Sequence, residues 1–220
     1  MRIVAVIPVK RVSERVPSKN FRPFFEDESL FSILLNKLSK VDDLAEIYVS
    51  TDNDNIIPFM SDKKTTYLPR SAHYCNNVTP WSEVIHHVVE NLPEPDNTHI
   101  MWCHTTLPLF DRYNEALNHY TNTWGKNDIN GLVAVGEFTE FIVSAERKRP
   151  VNYDWGVWHP YSQNLERLYT ITGAFFIAQK IAMLNARYVV SSNPDFFVTN
   201  QLEALDIDDD LDFELARLIF

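Results

Sequence analysis

The sequence predicts an α/β fold with a mostly parallel central sheet, and three observations carry that expectation. Strand-like apolar runs alternate with amphipathic helical runs along the 220 residues, the order left by βαβ crossovers rather than by hairpins. The first run, Ile3-Val4-Ala5-Val6-Ile7-Pro8-Val9, is uncharged and rich in β-branched residues, as suits a strand covered on both faces. It empties into Lys10-Arg11-Val12-Ser13-Glu14-Arg15-Val16-Pro17-Ser18-Lys19-Asn20, and ligands of open α/β sheets sit beyond the carboxyl ends of the strands. Lys10, Arg11, Arg15 and Lys19 within ten residues point towards a phosphate-bearing ligand, because several converging cations neutralise a polyphosphate that one lysine cannot. From charge alone, a solvated basic turn is the alternative.

The elements follow in order. Residues 28–40 carry Leu30, Phe31, Leu34, Leu35 and Leu38 at helical spacing, and Glu46-Ile47-Tyr48-Val49-Ser50-Thr51-Asp52 reads as the second strand. Thr79-Pro80 starts a helix whose stripe is Trp81, Val84, Ile85, Val88, Val89 and Leu92. His86 and His87 fall off that stripe, and adjacent residues on a helix do not converge on one metal. His99-Ile100-Met101-Trp102-Cys103-His104-Thr105 is a buried strand ending at another rim of the site, and Asp111 is placed to cap a helix from Arg112 to Trp124. Gly131–Gly136 and Ile171–Ile177 read as further core strands. Between them residues 137–170 are irregular, polar and aromatic, a lid or dimerisation arm within one domain spanning 1–220. Tyr153, Trp155, Trp158 and Tyr161 supply apolar rings that a partner would cover.

Composition narrows the function. A formal net charge of −10 argues against a duplex nucleic-acid partner, no apolar run approaches a bilayer's thickness, and Met1-Arg2-Ile3 leads into the first strand without a signal-peptide pattern. Cys75 and Cys103 make neither a CxxC pair nor a disulfide framework, so a cytoplasmic protein is expected. Only 5 Gly stand against 12 Pro, which excludes a glycine-run phosphate cradle and leaves that work to side-chain cations.

The closing segment Asp206-Ile207-Asp208-Asp209-Asp210-Leu211-Asp212 has five carboxylates in seven residues. In an extended stretch Asp206 and Asp208 share a side and can reach one hard cation while Ile207 faces the core. Asp209 reads as an N-cap, with Asp210 and Asp212 in the first turn of a helix carrying Leu211, Leu215 and Leu218.

Together these pieces resemble one family along nearly the whole chain: the N-acylneuraminate cytidylyltransferases (CMP-sialic acid synthetases), with the CMP-KDO synthetases as cousins. The family's opening strand, ending I-P-A-R before a serine, a proline and K-N, is matched by Ile7-Pro8-Val9-Lys10, Ser13, Pro17 and Lys19-Asn20. Its S-T-D stands as Ser50-Thr51-Asp52, and its Q-x-L-x-x-x-Y-x-x-N-G-A as Gln163, Leu165, Tyr169, Thr172, Gly173 and Ala174. Its D-I-D metal motif is Asp206-Ile207-Asp208, and its R-P-x-x-L-A is faint around Arg70. There are departures. Glu14 stands where the sialic-acid enzymes have the lysine of S-K-G, Thr172 replaces the asparagine before G-A, and Cys103 or His104 replaces the glutamine that helps read cytosine.

The resemblance implies a three-layer Rossmann-like nucleotidyltransferase fold and a homodimer. It implies transfer of CMP from CTP to a 2-keto acidic sugar such as a sialic acid, with Mg²⁺ as cofactor. Lys10, Arg15 and Lys19 would then be catalytic cations, Ser13, Asn20, Arg70 and Cys103 nucleotide contacts, Gln163 and Thr172 sugar contacts, and Asp206 and Asp208 the metal ligands. Arg147 or Lys148 offers a cation for the sugar carboxylate. Structural roles stand beside these: Arg22 pairing with Glu26 or Asp27, Gln163 clamping backbone in the arm, and Gly173 making room for a bulky neighbour. Two other functions compete. A nucleotide-sugar glycosyltransferase would use a D-x-D motif near the middle of the sequence, for which Asp52-Asn53-Asp54 is the candidate, and a non-catalytic or altered-specificity descendant would account for Glu14 and the missing glutamine.

Overall fold

The computed structural model describes residues 1–13, 15–60 and 64–220. In chain order the strands are β1 (Ile3–Pro8), β2 (Pro23–Phe25), β3 (Glu28–Ser29), β4 (Glu46–Thr51), β5 (Thr65–Pro69), β6 (His99–Trp102), β7 (Gly131–Phe138), β8 (Val143–Ser144), β9 (Arg149–Pro150), β10 (Leu168–Gln179) and β11 (Pro194–Thr199). The helices are α1 (Leu30–Ser39), α2 (Trp81–Glu90), α3 (Tyr113–Thr123), α4 (Lys180–Ala186) and α5 (Asp210–Ile219). Seven strands form one sheet in the order β11-β7-β10-β6-β1-β4-β5. Within it β10 alone runs against its neighbours β6 and β7, while the other pairs are parallel. β1 is central, as its uninterrupted apolar run requires.

Side-chain alternation divides the core into two layers. Ile3, Ala5 and Ile7 of β1, with Met101, pack under α1 and α3. Val4 and Val6, with Ile100 and Trp102, pack under α2 and α4. A third cluster, outside the sheet, joins Val16, Phe24, Leu30 and Ile33 to Ile207, Phe213 and Ala216. It fastens the segment that follows β1 to α5. At the start of α5, Asp209 accepts from the Leu211 and Asp212 backbone N–H groups, and the Asp212 carboxylate returns to the N-cap backbone, a reciprocal cap.

Several sequence expectations need correction. Asp111 does not cap α3, which begins after Arg112 without a side-chain cap. Arg112 instead grips Glu203 through two hydrogen bonds of 2.7 and 2.8 Å. The irregular arm is shorter than 137–170, because β7 runs on to Phe138 and β10 starts at Leu168. On α5 the buried residues are Phe213 and Ala216, leaving Leu211, Leu215 and Leu218 exposed. Arg22 pairs with Asp210 at 3.3 Å and lies over the Phe213 ring at 3.7 Å, so its partner comes from the far end of the sequence rather than from Glu26 or Asp27.

At the opposite end of the sheet from the carboxyl termini of β1, β4 and β6, Arg2 makes two hydrogen bonds of 2.6 Å to buried Glu94. Tyr48 donates to the same carboxylate at 2.8 Å, and buried Lys180 donates to the Leu92 and Glu94 carbonyls at 2.9 and 2.8 Å. The Arg2 hydrogen bond, supported by Tyr48, holds the Glu94 carboxyl below its usual 4.5. A carboxyl depressed in the folded state contributes stability above its unfolded pKa and loses it as the pH falls through the folded one. Glu94→Gln should therefore cost about 1–2 kcal/mol at pH 7, the lower end applying because Arg2 is half exposed. The gap between wild type and variant should close as the pH falls below about 4; denaturant melts at several pH values measure it.

Candidate active site

A cleft of about 630 Å³ opens over the carboxyl ends of β1, β4 and β6. Strand alternation decides what enters it. Pro8 and Lys10 continue the Val4-Val6 side of β1, and His104 continues the Ile100-Trp102 side of β6; all three line the cleft. The segment after β1 adds Ser13, Arg15, Lys19 and Asn20, the stretch after β5 adds Arg70, and the acidic segment adds Asp206 and Asp208. The opposite wall is Asn76, Asn77, Val78 and Thr79 with Trp81 at the start of α2. The two charged ends of the sequence thus face one space.

Lys19 joins them. Its side chain is only 7% exposed, and its ammonium donates to the Ile207 carbonyl. Burial lowers its pKa, while Asp206 and Asp208 act to restore it. Arg15 spans the cleft mouth to Asp208 at 2.8 Å, and the Lys10 ammonium donates to Asn77 Oδ1. Asn20 works partly as a brace: its Nδ2 donates to the Lys10 carbonyl at 3.2 Å and its Oδ1 accepts from Thr105 at 2.8 Å, leaving one N–H to offer a ligand.

Ile207 is fully buried between Asp206 and Asp208, which places both carboxylates on the cleft side. Asp206 is backed by protein, and this desolvation raises its pKa; the nearby Asp208 charge pushes the same way, against a hydrogen bond from Thr106. Two oxygen-donor groups whose mutual repulsion a cation would relieve fit a hard divalent ion that takes its remaining ligands from phosphate and water. No group of three or more His, Cys, Asp or Glu side chains able to hold a metal occurs among the described residues.

His104 is half-buried, and its imidazole is pushed down to about 4 by burial and by the Lys19 charge. Trp102 Nε1 donates to His104 Nε2 at 3.1 Å; an indole only donates, so the neutral ring carries its proton on Nδ1. That nitrogen faces Gly173, where a Cβ would stand 3.1 Å away and where φ is +83°. Gly173 falls in the register shift of β10 between Ile171 and Phe176. It is glycine both for its backbone and for its neighbour.

Three expected contacts are absent from the cleft lining. Cys103 is fully buried among the α1- and α3-side residues, one position out of phase with His104, and burial pushes its thiol pKa up. Thr172 is buried, its hydroxyl donating to the Ala134 carbonyl at 3.2 Å. Gln163 is exposed in a single turn of the arm at Ser162–Asn164. Arg147 and Lys148 lie in the turn of the β8–β9 hairpin, also away from the cleft lining. Glu14 lies outside the described residues. The rim expected at the end of the His99–Thr105 strand is found, with Thr105 and Thr106 in the lining, while sequence reasoning missed the 76–79 wall and Trp81; only the Asn76-Asn77 pair before Thr79-Pro80 signalled a polar rim there.

No family model matches the chain. It is 24% identical, over 236 aligned positions covering all of this chain and 97% of the relative, to the pseudaminic acid cytidylyltransferase of Campylobacter jejuni subsp. jejuni serotype O:2. The protein of that name from serotype O:23/36 is likewise 24% identical over 237 positions. Among solved structures, a CMP:2-keto-3-deoxy-manno-octonic acid synthetase complexed with CTP superposes with a TM-score of 0.69 at 12% identity, covering 100% of this chain and 98% of that one. The Francisella tularensis 2-C-methyl-D-erythritol 4-phosphate cytidylyltransferase gives 0.69 at 11%, covering both chains fully. These structures share the mostly parallel nucleotidyltransferase fold, and the full-length relatives carry the likeness into sequence. Over its full length the chain is thus similar to cytidylyltransferases that activate acidic sugars, and it has the fold of the CMP:2-keto-3-deoxy-manno-octonic acid synthetase.

Proposed function

We propose that this enzyme transfers CMP from CTP to a 2-keto acidic sugar of the sialic or pseudaminic acid type, with Mg²⁺ as cofactor. The observation that carries this reading is the joining of the cationic loop to the Asp206-Ile207-Asp208 segment across one cleft. The sugar's anomeric hydroxyl oxygen forms a bond to the α-phosphorus, the bond from that phosphorus to the β-bridging oxygen breaks, and pyrophosphate leaves. Lys10, Arg15 and Lys19 carry the triphosphate and stabilise the negative charge that builds on the leaving group. Such oriented cations in a partly dry site are worth a few kcal/mol each, about 100-fold in rate. Asp206 and Asp208 would hold the Mg²⁺, which supplies positive charge at the α-phosphate and lowers the pKa of the attacking hydroxyl. Arg70, Asn20 and the 76–79 wall then surround the nucleoside.

The arm supports a homodimer in this reading. Trp155, Trp158 and Tyr161 are each more than half exposed, a concentration of bare rings that a partner surface would cover. Multi-angle light scattering should give twice the chain mass, and a monomer at micromolar concentration would remove that part of the proposal.

Pyrophosphate release should be seen with CTP, Mg²⁺ and a pseudaminic- or sialic-type acid, and not with ATP, GTP or UTP; chelation should abolish it. Asp208→Asn should lower turnover by about 100-fold or more, while leaving the melting temperature within a few degrees because the residue is exposed and its ion pair with Arg15 is a surface pair. An unchanged rate would take Asp208 out of the metal site.

A further inference from the structure

The end of β4 holds both walls of the cleft, and it does so through residues that do not line it. The Thr51 carbonyl accepts from the Arg70 backbone N–H at 2.9 Å. Next along, Asp52 Oδ1 accepts from the Arg11 backbone N–H at 2.8 Å, fixing the cationic loop between Lys10 and Ser13. Arg70 Nε donates to Cys75 Sγ at 3.1 Å. The end of β4 thus reaches the phosphate side through Asp52 and the nucleoside side through the Thr51 carbonyl, while Cys75 holds the Arg70 side chain.

Both tethers answer a need in this chain. With only 5 Gly in 220 residues, the loop places side-chain cations instead of wrapping amides around phosphate, so its cations are only as well placed as its backbone. Arg70 is 6% exposed, and a guanidinium held before the ligand arrives loses less rotamer freedom on binding. We propose that Asp52 and Cys75 are positioning residues of the nucleotide site: Asp52 pins the cationic loop at Arg11, and Cys75 sets the Arg70 guanidinium against the nucleoside. This rests on the nucleotide-transfer reading of the cleft. Neither residue touches the reacting atoms, so the effect falls on affinity for the nucleotide and spares the chemical step.

The test uses the full-length enzyme and Asp52→Ala, Cys75→Ala and Cys75→Ser. CTP affinity is read by calorimetry, kcat and KM by pyrophosphate release, and the ligand-free loop by the rate of trypsin cleavage after Arg11 and Arg15. Asp52→Ala should weaken CTP binding and raise KM by about tenfold, with kcat at saturation within about twofold, and should speed cleavage at both sites. Cys75→Ala should raise KM by about threefold with cleavage unchanged, and Cys75→Ser should restore wild-type binding because a hydroxyl also accepts from Arg70. Wild-type affinity in both alanine variants, or a fall in kcat at unchanged KM, overturns the proposal. Should the wild type neither bind nor turn over CTP, the functional reading fails and cleavage decides: a loop as resistant in Asp52→Ala as in the wild type then overturns the positioning role, and faster cleavage supports it.

Discussion

The contact between the Lys19 ammonium and the Ile207 carbonyl is the constraint on which the site's geometry depends. It closes a loop of 188 residues in sequence separation, and it does so with a buried charge. Burial of an ammonium is costly unless polar groups replace the water it loses. Here a carbonyl takes one of its protons, and Asp206 and Asp208 supply compensating charge. The apolar cluster around Ile207, Phe213, Val16 and Phe24 keeps these partners in place, so the polar contact and the satellite core depend on each other. A backbone carbonyl has no side chain to lose, which makes Lys19 the sensitive member of the pair.

The cleft is bridged by its own side chains. Lys10 reaches Asn77 on the facing wall and Arg15 reaches Asp208, so a triphosphate and its cation would exchange these contacts for stronger ones. Exposed pairs of this kind hold little free energy, and releasing them opposes binding only weakly. They limit the self-repulsion of four cations gathered on a segment of ten residues, the cost of replacing a glycine cradle with side chains.

Much of this was legible in the sequence because it depended on local pattern. The uninterrupted β1 run, the Asp209 N-cap and buried Ile207 between two outward carboxylates follow from spacing and residue type alone, while a bulky neighbour is one of two roles the sequence leaves open for Gly173, filled here by His104. What stayed hidden depended on phase or on distant partners. Cys103 and His104 are adjacent, and only the observed register of β6 against β1 and β10 decides which of them meets the cleft. Arg22 finds Asp210 across 188 positions, a pairing that no local window contains. The apolar face of α5 was misread because Leu211, Leu215 and Leu218 share helical spacing, while Phe213 and Ala216 fit the small pocket against Phe24 and Ile33. The 76–79 wall carries no charge, so only its Asn76-Asn77 pair marked it as part of a site.

The phase of β6 also bears on how a base is read. Where the resemblance leads one to look for a glutamine amide, the cleft holds an imidazole whose Nε2 accepts from Trp102, while Nδ1 carries the proton and is turned towards Gly173. Neutral at physiological pH, and set edge-on to Trp81 at 5.9 Å between centroids, this ring adds an aromatic surface to the cleft with its Nε2 acceptor already taken. In the proposed nucleotide site, discrimination among nucleobases would then fall largely to the polar groups around it, the Arg70 guanidinium, the remaining Asn20 N–H and the Asn76–Thr79 segment. Because a buried hydrogen-bonding group left unpaired by the wrong base costs more than a mismatched apolar contact, the orientation of Arg70 carries more of the selectivity here than it would beside an amide reader, and that orientation is set from behind by Cys75.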